Sequence, residues 1–305
     1  MKIAIMGSGA VGAYVGARLQ AAGADVRFIA RGAHLEAMQS KGLRIDMPGK
    51  DLLLPQVKAT SDPASIGPAD LVIFAVKLTD TVSAAQSMRA LVSEHTRVLT
   101  LQNGIDSVSM IAKELPQAKV RGGVIYVSAV IDQPGVIKSP GGFHRVVADR
   151  ANDDAVMREL GEWGAKSSAL DVALVDDIQS IIWEKFMGLA AFSGATSLLR
   201  ARIGEIFSHA ESTAFLQQLI NESVAVAMAH GQTVRPGLVD EYMNTLRAAP
   251  PSFRSSMSED LERGKALELP WLSGRMHQLG LQLGVPTPAH TAVYRGLVLK
   301  AGGSQ

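Results

Sequence analysis

The sequence predicts an α/β fold in which an N-terminal, doubly wound Rossmann-type sheet precedes an all-helical C-terminal domain. Three observations carry this. A glycine-rich turn separates the first apolar run from the first helical pattern. Strand and helix patterns then alternate through the first half, the signature of a parallel sheet covered on both faces. After about residue 176 no strand pattern recurs, and apolar residues repeat at helical spacing. The division is expected as residues 1–168, a nucleotide-binding domain, and 169–305, a helical substrate-binding domain; a chain of 305 residues accommodates two such bodies.

Lys2 to Met6 reads as a buried strand, Ala10 to Ala22 as a helix ending at Gly23, and Asp25 to Ala30 as a second strand. Further strands are expected at Asp70–Val76, Arg97–Leu101 and Val120–Val127, with helices at Thr79–Val92 and Val108–Leu115 between them. The stretch Gly42–Pro63 is less regular and has room for a small β excursion. Helices are expected at Asp177–Leu189, Thr213–His230, Leu238–Leu246 and Leu269–Leu283, with the crossing between domains in Trp163–Val175.

Hydrophobic residues make up 47% of the chain and charged residues 19%, which describes packed cores rather than disorder. Thirty basic against 29 acidic side chains give a formal charge of +1, too little field to gather nucleic acid or an anionic membrane. A small-molecule partner is expected instead. The absence of cysteine excludes disulfides, thiolate nucleophiles and cysteine-ligated metals, and no metal site is expected. Lys2 and the apolar stretch Ile3–Val15 superficially resemble a signal peptide, but Gly7, Gly9 and Gly12 suit a strand and tight turn better than a helical apolar segment. A cytoplasmic protein is the expectation. Apolar helix faces in the second half leave room for a homodimer, although core packing is the preferred explanation of them.

Gly7, Ser8, Gly9, Ala10, Val11 and Gly12 form a GxGxxG turn directly between strand and helix. Gly7 permits the tight turn, Gly9 lets backbone approach a pyrophosphate, and Gly12 allows close helix–strand packing; the helix N-terminus adds N–H groups and partial positive charge. At the end of the second strand, where an acidic residue would accept from NAD ribose hydroxyls, stands Arg31, which suits the 2′-phosphate of NADPH. Asp25 lies at the strand's other end. Lys77 and the turn Gln102-Asn103-Gly104 follow later strands at carboxyl ends, where open α/β sheets bind ligands.

Lys185 sits in an apolar helix beside Glu184. It is either a lysine snorkelling to the surface, which periodicity alone favours, or a partly buried proton donor of depressed pKa. Ser255-Ser256-Met257 opens another helix, with Ser258 or Ser256 as its cap, and Glu268 interrupts an apolar stretch.

Taken in order, the GxGxxG turn, the Val-Lys after a later strand, the Gln-Asn-Gly turn, the Trp-x-Lys helix, the Ser-Ser-Met segment and the following glutamate resemble the ketopantoate reductase family (2-dehydropantoate 2-reductases) over nearly the whole chain. The resemblance implies NADPH-dependent reduction of 2-dehydropantoate to (R)-pantoate in pantothenate biosynthesis. Lys185 would be the general acid. Asn103 would orient substrate and nicotinamide ribose, Ser256 and Ser193 would contact substrate, Glu268 would contact the ribose or organise the lysine, and Arg31 and Lys77 would hold the adenosine phosphate end. The chain departs from the family at Leu189 and Ser193, where asparagines usually stand, and at Pro270 and Ser273 after the glutamate. Leucine cannot hydrogen-bond a hydroxyl. Two other functions fit the same sequence: NADPH-dependent reduction of a different 2-oxo acid, and non-catalytic NADPH sensing.

Overall fold

The computed structural model describes residues 1–142, 144–152 and 154–303. They fall into two compact units, Met1–Gln179 and Ser180–Gln305.

The first unit runs β1 (Lys2–Met6), α1 (Ala10–Ala21), β2 (Asp25–Ile29), α2 (Gly32–Lys41), β3 (Leu43–Asp46), β4 (Leu52–Leu54), β5 (Lys58–Thr60), β6 (Leu71–Phe74), α3 (Thr81–Ser87), β7 (Arg97–Thr100), α4 (Ser107–Glu114), β8 (Lys119–Val127), β9 (Val130–Gln133), β10 (Val136–Lys138), β11 (His144–Asp149), α5 (Ala155–Lys166) and β12 (Asp171–Val175). Eight strands form one sheet in the order β12-β11-β8-β7-β6-β1-β2-β5. From β5 to β8 every neighbour is parallel; β11 runs antiparallel to β8, and β12 parallel to β11.

The chain leaves β1 towards β2 and returns to β1's other side as β6, so the topological switch lies between β1 and β6. Alternate residues of β1 enter separate cores. Ile3 and Ile5 pack with Tyr14, Leu19 and Phe28 on one face, and Ala4 and Met6 with Val72 and Phe74 on the other. Burial on both faces explains why the strand reads as a continuous apolar run.

A second sheet, β4-β3-β10-β9, gives the excursion expected after Gly42 its pairing partners from residues 130–138. The strand β12 lies inside the stretch that the sequence assigns to the domain crossing. It pairs with β11 from Arg145↔Asp171 to Asp149↔Val175, so the first unit extends to Gln179 where the sequence divides the chain after residue 168.

The second unit is built from α6 (Ile178–Leu198), α7 (Ile203–Phe207), α8 (Ala210–Ala229), α9 (Leu238–Ala248), α10 (Ser256–Glu262), α11 (Ser273–Leu283) and α12 (Pro288–Leu297), with α8 packed against α7, α9, α11 and α12. Its core is pinned by a carboxylate. Glu222, in α8 and 7% exposed, accepts from the backbone N–H groups of Ala289 and His290, each at 2.9 Å. These amides belong to the first turn of α12, where donors lack intrahelical partners and the helix dipole favours negative charge. The fully buried His290 ring meets the Ser223 hydroxyl at 2.8 Å and the Ser273 hydroxyl at 3.2 Å. Burial pushes its pKa down to about 4, so the ring is neutral at physiological pH. Among the described residues no helix is long and apolar enough to cross a membrane.

Candidate active site

At the carboxyl end of β1 each glycine of the turn has its own steric reason. Gly7 has φ +93°, and a Cβ there would meet Val76 Cγ1 at 2.6 Å and Val76 N at 2.8 Å, so the turn leans on the segment that follows β6. A Cβ on Gly12 would run into the Gly7 carbonyl and lie 2.9 Å from Ile5 Cγ2, which fixes how closely α1 approaches β1. A Cβ on Gly9 would meet nothing within 4 Å. The bare backbone at Gly9, which also caps α1 without a side-chain hydrogen bond, faces open space of the kind a pyrophosphate occupies. Ser8 is 2% exposed; its N–H donates to Ile29 O at 2.8 Å and ties the turn to the end of β2. Ala10 and Val11 are half-buried in the first turn of α1.

Arg31 is exposed at the start of α2, two residues beyond β2. Lys77 is exposed directly before the 3-10 turn Leu78–Asp80. Two cations thus follow β2 and β6 at the carboxyl edge of the sheet, and together with the Gly9 opening they fit the phosphates of a dinucleotide. Asn103 is half-buried just past β7. Its neighbour Gln102, which the sequence places in the same turn without a role of its own, anchors that turn. The buried Gln102 amide nitrogen donates to Val76 O at 3.1 Å and to Thr81 Oγ1 at 2.8 Å, fastening the β6–α3 connection to the end of β7. The available signal was a large amide at a strand end, where turn residues are usually small.

In the second unit, α6 sorts two adjacent charges. Glu184 meets exposed Arg235 at 3.2 Å, and its carbonyl accepts from the Tyr242 hydroxyl. Trp183 packs edge-on against Phe186, with ring centroids 5.6 Å apart. Lys185 is half-buried rather than fully exposed. Desolvation takes its pKa from 10.5 down to about 8, and the nearby Glu268 carboxylate holds it from falling further. Lys185 and Glu268 are therefore electrostatically coupled, across 83 residues of sequence, within one unit.

Ser255, not Ser256 or Ser258, caps α10: its Oγ accepts from Ser258 N at 3.1 Å and meets Thr196 Oγ1 at 2.9 Å. The correction has a steric logic, because Ser255 is buried against α6 while Ser256 is left exposed as the first residue of the helix. Ser193 is 1% exposed, and Leu189 and Glu268 are half-buried.

Comparison with known proteins identifies the family. Residues 3–152 match the ketopantoate reductase PanE/ApbA family, and residues 177–301 match ketopantoate reductase PanE/ApbA C terminal. A 2-dehydropantoate 2-reductase from Mesorhizobium japonicum is 29% identical, the alignment covering 96% of this chain and 95% of that protein. The crystal structure of a PanE/ApbA family ketopantoate reductase from Ralstonia eutropha JMP134 superposes with a TM-score of 0.90 at 31% identity, covering 99% of this chain and 98% of that one. The fold is also shared by a D-mandelate dehydrogenase solved with NADH and anilino(oxo)acetate, with a TM-score of 0.89 at 22% identity, covering 99% and 98% of the two chains. The Rossmann-type sheet, the helical second unit and the matches across both place this chain in the ketopantoate reductase family, whose members are oxidoreductases acting on CH–OH/C=O groups.

Proposed function

We propose that the protein uses NADPH to reduce the keto group of a 2-oxo acid to a hydroxyl, with Lys185 as general acid. The relatives' name makes 2-dehydropantoate, reduced to (R)-pantoate in pantothenate synthesis, the reference substrate. The observation that carries the proposal is the lysine itself. An ammonium whose pKa is brought down to about 8 is mostly charged at pH 7 yet gives up its proton readily, which is what an acid at a developing alkoxide needs.

The nicotinamide, when bound, supplies the hydride for the carbonyl carbon. Lys185 Nζ gives its proton to the carbonyl oxygen and leaves as a neutral amine, to be recharged from solvent. Glu268 favours the charged lysine before transfer. The Gly7–Gly12 backbone would take the pyrophosphate, with Arg31 on the 2′-phosphate and Lys77 beside it. Asn103 would orient the substrate and nicotinamide ribose, and Ser256 would serve the acid; Ser193, expected from the sequence to contact substrate, is 1% exposed and covered by its neighbours, so it is given no part in binding.

A non-catalytic sensor has no use for a lysine tuned in this way. NADPH oxidation followed at 340 nm with 2-dehydropantoate and a panel of other 2-oxo acids tests the proposal. Tight NADPH binding with no turnover of any acid would reject it.

A further inference from the structure

The face of α6 that carries Lys185 is hydrocarbon wherever it is accessible. With about 100° of rotation per residue, Leu189 lies about 40° from Lys185 around the helix and one turn along it, and Phe192 lies within about 20° two turns along. Polar groups on this face are committed or covered. Thr196 is fully buried, with its hydroxyl donating to Phe192 O at 2.8 Å and meeting Ser255 Oγ at 2.9 Å. Ser193 is 1% exposed. Gly188 brings no side chain and lies under the Tyr242 ring, which a Cβ there would meet at 2.9 Å. Leu189 is left as the half-exposed neighbour of the lysine. Beyond it the face ends in an aromatic pair: Phe253, 41% exposed, stacks on Phe192 with centroids 5.1 Å apart and planes 16° apart, three residues before the exposed Ser256.

We infer that the acid reduced at Lys185 carries a branched or aryl hydrocarbon substituent without a hydroxyl, and that Leu189 sets this preference. The inference rests on the proposed reduction by Lys185. With its carbonyl oxygen at the ammonium, the acid's substituent lies along Leu189, towards Phe253. A hydroxyl there loses its water and finds no partner on this face. A hydrocarbon pocket rejects an added hydroxyl by a factor of about 100 at most.

The test is a matched pair of substrates. 2-Dehydropantoate and 3,3-dimethyl-2-oxobutanoate differ by one hydroxyl. With wild-type enzyme and NADPH, kcat/KM is expected to favour the deoxy acid by about 10- to 100-fold, with Leu189→Asn cutting that ratio at least tenfold by improving the hydroxy acid. A wild-type preference for 2-dehydropantoate, or a ratio near one, overturns the inference while leaving the reduction intact. A deoxy preference unchanged in L189N overturns Leu189 as its source. If neither acid, nor benzoylformate as an aryl case, oxidises NADPH, the proposed reduction itself fails.

Discussion

The depressed pKa of Lys185 sets the pH dependence of the proposed reaction. Reduction needs the ammonium, and burial places its loss at about pH 8 rather than at the 10.5 of a solvated lysine. Above that point the charged fraction falls tenfold per pH unit, so at pH 9.5 the rate of hydride transfer drops about 30-fold below its plateau, whereas an unperturbed lysine would lose about a tenth. Oxidation of the hydroxy acid needs the neutral amine, and its limb rises through the same pH. Glu268 gives a second handle with a definite sign. Its carboxylate raises the lysine pKa, so Glu268→Gln moves the reductive limb towards lower pH. Single-turnover NADPH oxidation across pH 6 to 10, with saturating acid, reads both. A reductive profile flat through pH 9.5, or a limb that moves to higher pH in E268Q, would refute the assignment of Lys185 as the acid.

Four other substitutions separate cofactor contacts from framework. Arg31→Ala should raise KM for NADPH by about 10- to 100-fold and leave that for NADH nearly unchanged, the loss of a charge-assisted phosphate contact; equal losses for both nucleotides would remove Arg31 from the 2′-phosphate. At Gly9, where φ is −72° and a Cβ meets no protein atom within 4 Å, alanine should keep the melting temperature and weaken NADPH binding. The same change at Gly12 should destabilise the first unit, because its Cβ collides with the Gly7 carbonyl. Glu222→Ala strands two buried N–H groups at α12 and should cost the second unit about 2–5 kcal/mol by denaturant unfolding, with little effect on nucleotide affinity.

The sequence made legible whatever is fixed by local pattern. Lys2–Met6, the glycine turn and the first helix are specified by a buried run, a steric requirement and a 3.6-residue repeat, all within the first two dozen residues. Pairings made at a distance were hidden. β12 reads as a linker because its sheet role depends on β11, and β9 and β10 become strands by pairing with each other and with β3, about ninety residues earlier. The helix α6 runs to Leu198, past the expected end at Leu189, because Ser193, Thr196 and Ser197 are poor signals on their own but are buried by their neighbours. In the site, residue types were visible and environments were not. Spacing alone left Lys185 between a surface lysine and a partly buried donor, and its half-buried position with Glu268 nearby supports the acid role proposed above. Gln102 is visible as part of a turn, but its anchoring role is not, because that role lies in two hydrogen bonds to residues more than twenty positions away.

The most direct test of the central claim is the reduction of a 2-oxo acid by wild-type enzyme and by Lys185→Ala, with NADPH affinity measured alongside. Loss of the general acid should lower kcat by about 10²- to 10⁴-fold while the dissociation constant for NADPH stays within about twofold. A K185A enzyme that turns over at the wild-type rate would contradict the account.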